Sequence, residues 1–171
     1  EGSVNAPTAG EIADRLIETT SEARNLARGL CPAGMDADGL MHALQNLAET
    51  TRETWGKRCE WVCPDEVLVD SGNAATHLYR IAQEAVNNAV RHAECDVISI
   101  RLDSRDGSVI LAVEDDGRGL PDGMNLDEGM GLRTMKYRAA RIGATLHIRS
   151  TLGNGTVVRC ELPEHGTDKG D

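Results

Sequence analysis

Two alternating, β-branched runs, Val97 to Leu102 and Ser108 to Glu114, are joined through Ser-Arg-Asp-Gly and followed at once by a glycine-rich stretch. This arrangement constrains the fold more than any other feature of the chain. Alternation over six or seven residues marks strands with one buried face, and an Asp-Gly turn between them marks an antiparallel hairpin. Residues 117–131 then hold five glycines and one proline with little periodicity. The spacing predicts a loop longer than ordinary connections, and loops of that length generally serve a function.

Helices flank this centre. Residues 73–93 carry Leu78, Ile81, Ala82, Ala85 and Ala89 at helical spacing. A helix near 38–56 presents Leu40, Ala43, Leu44, Leu47 and Ala48, and a further helix is expected over 131–142. Strands are expected at 58–63, 144–151 and 156–162, the last two turning through Gly153-Asn-Gly155. A capping box at Thr8 and Glu11 opens a helix over 9–30 whose narrow apolar stripe suits a seam against a partner helix or a packed N-terminal helix, until Cys31-Pro-Ala-Gly breaks it. The expectation is an α+β fold with helices on one face of a mostly antiparallel sheet. Its proposed divisions are an N-terminal helical segment over 1–33, a domain over 34–163 and a polar tail over 164–171.

The chain has 171 residues, 40% hydrophobic and 27% charged, which fits a folded domain and neither a disordered nor a fibrous chain. Its longest apolar run, Val109 to Val113, is far too short to cross a bilayer. The first residues resemble no signal peptide, and the chain reads as part of something longer. The five cysteines, an odd number, suggest reduced thiols in cytoplasm, and Cys59-x3-Cys63 lacks a second ligand pair for zinc. A formal charge of −10 argues against nucleic acid as a partner. An anionic ligand would need a local cationic patch, and Arg133, Lys136, Arg138 and Arg141 form the densest.

Four groups of residues carry candidate chemistry. On the helix over 73–93, Glu84, Asn88, Arg91 and His92 share one side beside the apolar stripe. A carboxylate, an amide oxygen and cations there suit a hydrated Mg²⁺ with phosphates, and equally a solvated face with a Glu84–Arg91 pair. Alternation places Asp115 on the core face with Val109, Leu111 and Val113, where a carboxylate needs a donor such as an exocyclic amine, or leaves the strand in an Asp-Gly turn. Gly117 and Gly119 would admit a flat ring close to the backbone. Gly129-Met-Gly131-Leu132 opens a helix whose free N–H groups could cradle phosphate, or is a plain loop-to-helix junction. Gly153-Asn-Gly155-Thr156 is the weakest, because hairpins use Asn-Gly for their own reasons.

In this order, the segments resemble the boxes of the GHKL ATPase superfamily. Gln83 to His92 is similar to the N box, Asp115 to Gly119 to the G1 box, Gly129 to Leu132 to the G2 box and Gly153 to Thr156 to the last glycine box. The wording most resembles sensor histidine kinases of the nitrate/nitrite-sensor and DesK-like class, over about residues 25–163. The resemblance implies a Bergerat fold, a two-layer α/β sandwich with ATP between helices and sheet under a lid. It implies Asn88 as Mg²⁺ ligand, with Glu84 as a second metal ligand, a base or a group that deprotonates the acceptor. It implies Asp115 as adenine anchor, Gly117 and Gly119 as ring-approach glycines, and Gly129, Gly131 and Leu132 as the phosphate loop, with Arg91, His92 and Thr156 also at the nucleotide.

The same resemblance implies phosphoryl transfer to a histidine, relay to a response regulator and a homodimer formed through the helical segment. None of the five histidines stands in a His-Asp/Glu context ahead of the first helix, so this stretch is expected to lack its own acceptor. With no Phe in the chain, no phenylalanine box is possible, and the lid is short. An ATP hydrolase or serine kinase of the same superfamily, or a nucleotide-regulated dimerisation module, are the alternatives.

Overall fold

The structure, a computed structural model, describes residues 39–69, 71–120 and 129–163. The expected helix over 9–30, the chain break after it, most of the glycine-rich loop and the polar tail lie outside the described residues. Helix α1 (Gly39–Trp55) leads to strand β1 (Arg58–Val62), helix α2 (Gly72–His92), and the hairpin strands β2 (Val97–Arg105) and β3 (Ser108–Asp115). Helix α3 (Met130–Arg141) and strands β4 (Thr145–Ser150) and β5 (Thr156–Pro163) complete the order.

The five strands form one sheet in the order β1-β2-β3-β5-β4. β1 runs parallel to β2 and every other pair is antiparallel. A parallel neighbour needs a crossover, and α2 supplies it. The hairpin β2–β3 turns at Asp106 and Gly107, both at positive φ (53° and 70°), which gives the turn a twist that matches the strands. Both strands therefore extend further than alternation alone suggests, with Arg105 paired to Ser108.

One face of the sheet is apolar. Cys59, Ile98, Ile100, Leu102, Val109, Leu111, Val113, Val158, Cys160 and Leu162 are buried on it. Their registers align across strands: Ile100 with Val113, Val113 with Val158, Leu111 with Cys160. The helices cover this face, α1 through Leu40, Leu44 and Ala48, and α2 through Leu78, Ile81, Ala82, Ala85, Val86 and Ala89. Small residues at 74, 75, 82, 85 and 89 let α2 lie close against its neighbours. Ser71 caps its start by accepting from the Ala74 N–H at 3.3 Å.

The other face carries charged pairs such as Arg101 and Arg105 on Asp103. Val67 and Val69, within a segment whose composition reads as polar and punctuated, are also buried, with Leu68 exposed between them. The four described cysteines are free thiols, and burial pushes Cys59 up to about 11 and Cys160 to about 12.

Candidate functional site

Asp115 ends β3 on the apolar face, 8% exposed, with Ile98 opposite it on β2 and Thr156 opposite it on β5. Its Oδ1 accepts from the Gly117 N–H at 2.9 Å. Burial raises its pKa above the ordinary carboxylate value, and the N–H groups of Gly117 and Thr156 offset only part of that rise. A buried carboxylate with acceptor capacity left over is chemically suited to an incoming N–H donor.

Asp116 points the other way and serves the fold. Its Oδ1 accepts from the Asp96 and Val97 N–H groups, both at 2.9 Å. The Val97 bond in particular holds its pKa low. A carboxyl whose folded pKa is depressed contributes stability above its unfolded pKa and loses it as pH falls through the folded value. Asp116→Ala should therefore melt below the wild type at pH 7, and the gap should close as both proteins are melted at pH values descending through the carboxylate range.

The segment after Asp116 is clamped from two sides. On the α2 side, the Arg118 N–H donates to the Ala93 carbonyl at 2.7 Å, and the Arg118 guanidinium meets Glu94 at 2.9 Å. On the β4–β5 side, the Gly153 N–H donates to the Arg118 carbonyl and the Leu120 N–H to Ser150 Oγ, each at 2.7 Å. The glycines fit this clamp closely. A Cβ on Gly117 would overlap the Ala93 carbonyl, one on Gly119 the Thr151 carbonyl, and one on Gly155 the Asp115 carbonyl. Protein backbone thus already fills the space beside Gly117 and Gly119, which is a reason for glycine there apart from ring approach.

The second group gathers where α2 meets α3. Glu84 and Asn88, both half-buried, lie beneath Gly131: a Cβ on Gly131 would overlap Glu84 Oε1 and come within 3.3 Å of Asn88 Nδ2. Gly129 precedes α3 in an extended conformation (φ −75°, ψ 127°) with no side-chain cap, and the first helical bond runs from Arg133 N–H to Gly129 O at 3.0 Å. The N–H groups of the first turn are thus not consumed by a capping side chain. Leu132 is half-buried beside Gly129, and Met130 is 85% exposed. Arg91 and His92 are exposed on the last turn of α2.

Arg138 and Arg141 lie near His77 on α2, where burial first and then these two charges lower the histidine pKa. Since Gly131 rests on Glu84 and Asn88, the later turns of α3 lie back along α2 towards its start. Sequence reasoning singled out Asp115 and Thr156, yet missed the Ser150, Ala93 and Gly155 contacts around them. Serine at a strand end and alanine at a helix end carry no distinguishing signal, and only the register of β4 on β5 brings Ser150 beside Thr156.

Three helices on one face of a mixed sheet, with a buried carboxylate at a strand end and an uncapped helix start over a Glu–Asn pair, define a two-layer α+β nucleotide-binding class. Comparison with known proteins agrees. The signature of the histidine kinase-, DNA gyrase B- and HSP90-like ATPases matches residues 73–166, and the chain belongs to that family. It is 30% identical over 154 residues to the sensor histidine kinase LiaS of Bacillus subtilis, spanning 90% of this chain and 42% of LiaS. It is 32% identical over 159 residues to the histidine-protein kinase/phosphatase UhpB of Salmonella typhimurium, spanning 91% of this chain and 31% of UhpB.

Among solved structures, the histidine kinase domain of the Erythrobacter litoralis EL346 blue-light activated kinase superposes with a TM-score of 0.64 at 27% identity. That match covers 77% of this chain and 64% of the other. The fold is therefore the GHKL fold of histidine kinase catalytic domains, and the domain is an ATP-binding one of the sensor-kinase type. The chain spans less than half the length of these curated relatives. No helix among the described residues is long and apolar enough to cross a membrane.

Proposed function

We propose that this chain binds Mg·ATP and, as part of a longer sensor kinase, transfers the γ-phosphoryl group to a histidine on a helical segment, for relay to a response-regulator aspartate. The observation that carries this reading is the buried Asp115 carboxylate at the core-face end of β3, with acceptor capacity to spare. The exocyclic amine of adenine is the donor that would satisfy it, and Thr156 lies beside it.

The Glu84–Asn88 pair under Gly131 suits the phosphate end. A carboxylate and an amide oxygen are the hard ligands Mg²⁺ accepts, and Mg²⁺ shared with phosphates needs only one or two from protein. Among the described residues no group of three or more His, Cys, Asp or Glu side chains could hold a metal, so a closed protein cage is not the arrangement on offer. Bound there, the ion would neutralise phosphate charge during transfer. Asn88 and Glu84 would hold it, or Glu84 would instead accept a proton from the attacking group. The N–H groups after Gly129 and Gly131 orient the phosphates, with Arg91 adding positive charge and His92 beside it as a polar contact. A homodimer forms through helices of the full protein.

Gly131→Ala separates fold from chemistry. A helical Gly→Ala change favours the helix by up to about 1 kcal/mol, and the atom displaced is the end of the flexible Glu84 side chain. The variant should melt at or above the wild-type temperature and bind Mg·ATP roughly tenfold more weakly by calorimetry, since the displaced carboxylate no longer faces the phosphates.

The proposed reaction is tested by incubating the chain with γ-labelled ATP and an acceptor helical hairpin from a sensor kinase of this class. Label that enters the hairpin and is lost in acid but stable in base is phosphohistidine and supports the proposal. Acid-stable label would make the chain a serine kinase, and phosphate release without transfer would make it a hydrolase.

A further inference from the structure

His77 stands on the second turn of α2, half-buried on the side where α3 packs. Its Nδ1 is shut off from water and has no hydrogen-bond partner among the described residues. The charges that act on it come from α3: Arg138 and Arg141, neither of them in an ion pair among the described residues. On its own helix the next cation, Arg80, is turned to Gln83 Oε1 at 2.9 Å. No described carboxylate from α1, the helices or the sheet offsets the two arginines at this ring.

A neutral imidazole tolerates this setting, whereas an imidazolium does not. The imidazolium carries an N–H on both nitrogens. A protonated His77 would therefore set a buried donor at Nδ1 without an acceptor, and a third positive charge beside two others. Moving this end of α3 off α2 would relieve both, by letting water reach the ring. Arg138 lies seven residues beyond Gly131 on the same 12-residue helix, about 10 Å along its axis at 1.5 Å per residue. A packed helix this short shifts as one body, so movement at Arg138 also carries Gly131 away from Glu84 and Asn88.

We propose that His77 is an acid-sensitive latch between α2 and α3: neutral, it lets the helices close and holds the Glu84–Asn88–Gly131 junction together, and protonated, it parts them and opens that junction. The effect on nucleotide rests on the reading that phosphates sit at the junction, while the effect on the fold does not. A histidine whose folded pKa is depressed contributes stability that is full above its unfolded pKa and is lost as pH falls from there through the folded value. Acid should therefore loosen this domain through His77.

The test compares the wild-type chain with His77→Gln, which keeps a polar side chain that does not titrate. NMR of the histidine rings should place the His77 midpoint below the ordinary histidine value, and Arg138→Gln combined with Arg141→Gln should raise it. Melting at pH 7 and at about 5.5 should show a larger acid loss in the wild type than in His77→Gln. Over the same range, calorimetry with Mg²⁺ and a non-hydrolysable ATP analogue should show the wild type losing about threefold to tenfold more affinity than His77→Gln, since one proton commands at most about tenfold per pH unit.

A His77 midpoint at or above the ordinary value, or the same acid loss of melting temperature in wild type and His77→Gln, overturns the proposal. If His77→Gln does not fold, the double arginine variant decides, because it must blunt the acid loss and an undiminished loss overturns the latch. Melting that depends on His77 with affinity that does not would overturn its coupling to the junction. A wild type that binds no nucleotide at pH 7 would instead overturn the phosphate reading, with the NMR and melting arms still deciding the latch.

Discussion

Asp115→Asn is expected to lose nucleotide binding, on the order of 100-fold in affinity, while the fold loses nothing. The first half follows from chemistry: a carboxylate accepting from an exocyclic amine is a charge-assisted bond worth about 1.5–3 kcal/mol, and an asparagine turns a donor towards a donor. The second half follows from the burial of Asp115. Burial raises its pKa, so the ionised form is the disfavoured one in the folded state. A raised folded pKa contributes stability that is present at low pH and lost as pH rises through the raised value.

At pH 7 the wild type therefore carries a cost at this position that the neutral amide removes, while Asn Oδ1 can still accept from the Gly117 N–H. Thermal melting across the acidic range should show wild-type stability falling, relative to Asp115→Asn, as pH rises through the raised carboxyl pKa. At pH 7 the variant should melt no lower than the wild type. A residue kept at a stability cost is what a binding group looks like, whereas a purely structural aspartate such as Asp116 shows the opposite sign.

The second large effect is on the fold. Gly155→Ala should destabilise the domain by about 3 kcal/mol or more. Gly155 sits at φ +75°, where an L side chain is strained, and its added Cβ would overlap the Asp115 carbonyl and lie 3.1 Å from the Gly117 N. Both neighbours are backbone, and both are tied into the β3–β5 ladder or the Asp115 side chain. The damage therefore falls on the element that carries the site. Denaturant unfolding of the variant should show a lower midpoint with an unchanged slope. Gly131→Ala is the contrast, because there the group displaced is a flexible side-chain end.

These two positions also show what is legible in sequence. Asp115 could be placed on the core face because strand periodicity is two and Val109, Leu111 and Val113 define the face. The β2–β3 hairpin was equally readable, since Asp-Gly supplies the positive φ angles the turn requires. The β4–β5 connection is only partly so. Gly153 and Gly155 do adopt positive φ, but the turn spans Thr151 to Gly155, with Thr151 N–H bonded to the Gly155 carbonyl, and its glycines also accommodate the loop after Asp115.

Non-local pairing leaves no local mark. That β1 lies parallel to β2 depends on α2 bridging them, which a five-residue strand cannot announce. Val67 and Val69 alternate like a strand and are buried, yet form none; Val67 lies beside α1, where its N–H meets Met41 Sδ at 3.4 Å. Ser150 is the clearest case. Its hydroxyl has three partners drawn from two segments, Leu120 after β3 and Gly155–Thr156 at the start of β5, and only the folded register brings them together.

On the proposed reading, the Asp115 end of the sheet and the Glu84–Asn88–Gly131 junction form one Mg·ATP seat. The most direct measurement is calorimetric titration of a non-hydrolysable ATP analogue into the folded chain with and without Mg²⁺, repeated on Asn88→Ala. Binding should be micromolar and strengthen with Mg²⁺ in the wild type, and Asn88→Ala should keep the Mg²⁺-free component but lose the Mg²⁺ gain. Absence of binding to a wild type with a cooperative melt, or a Mg²⁺ gain undiminished in Asn88→Ala, would contradict it.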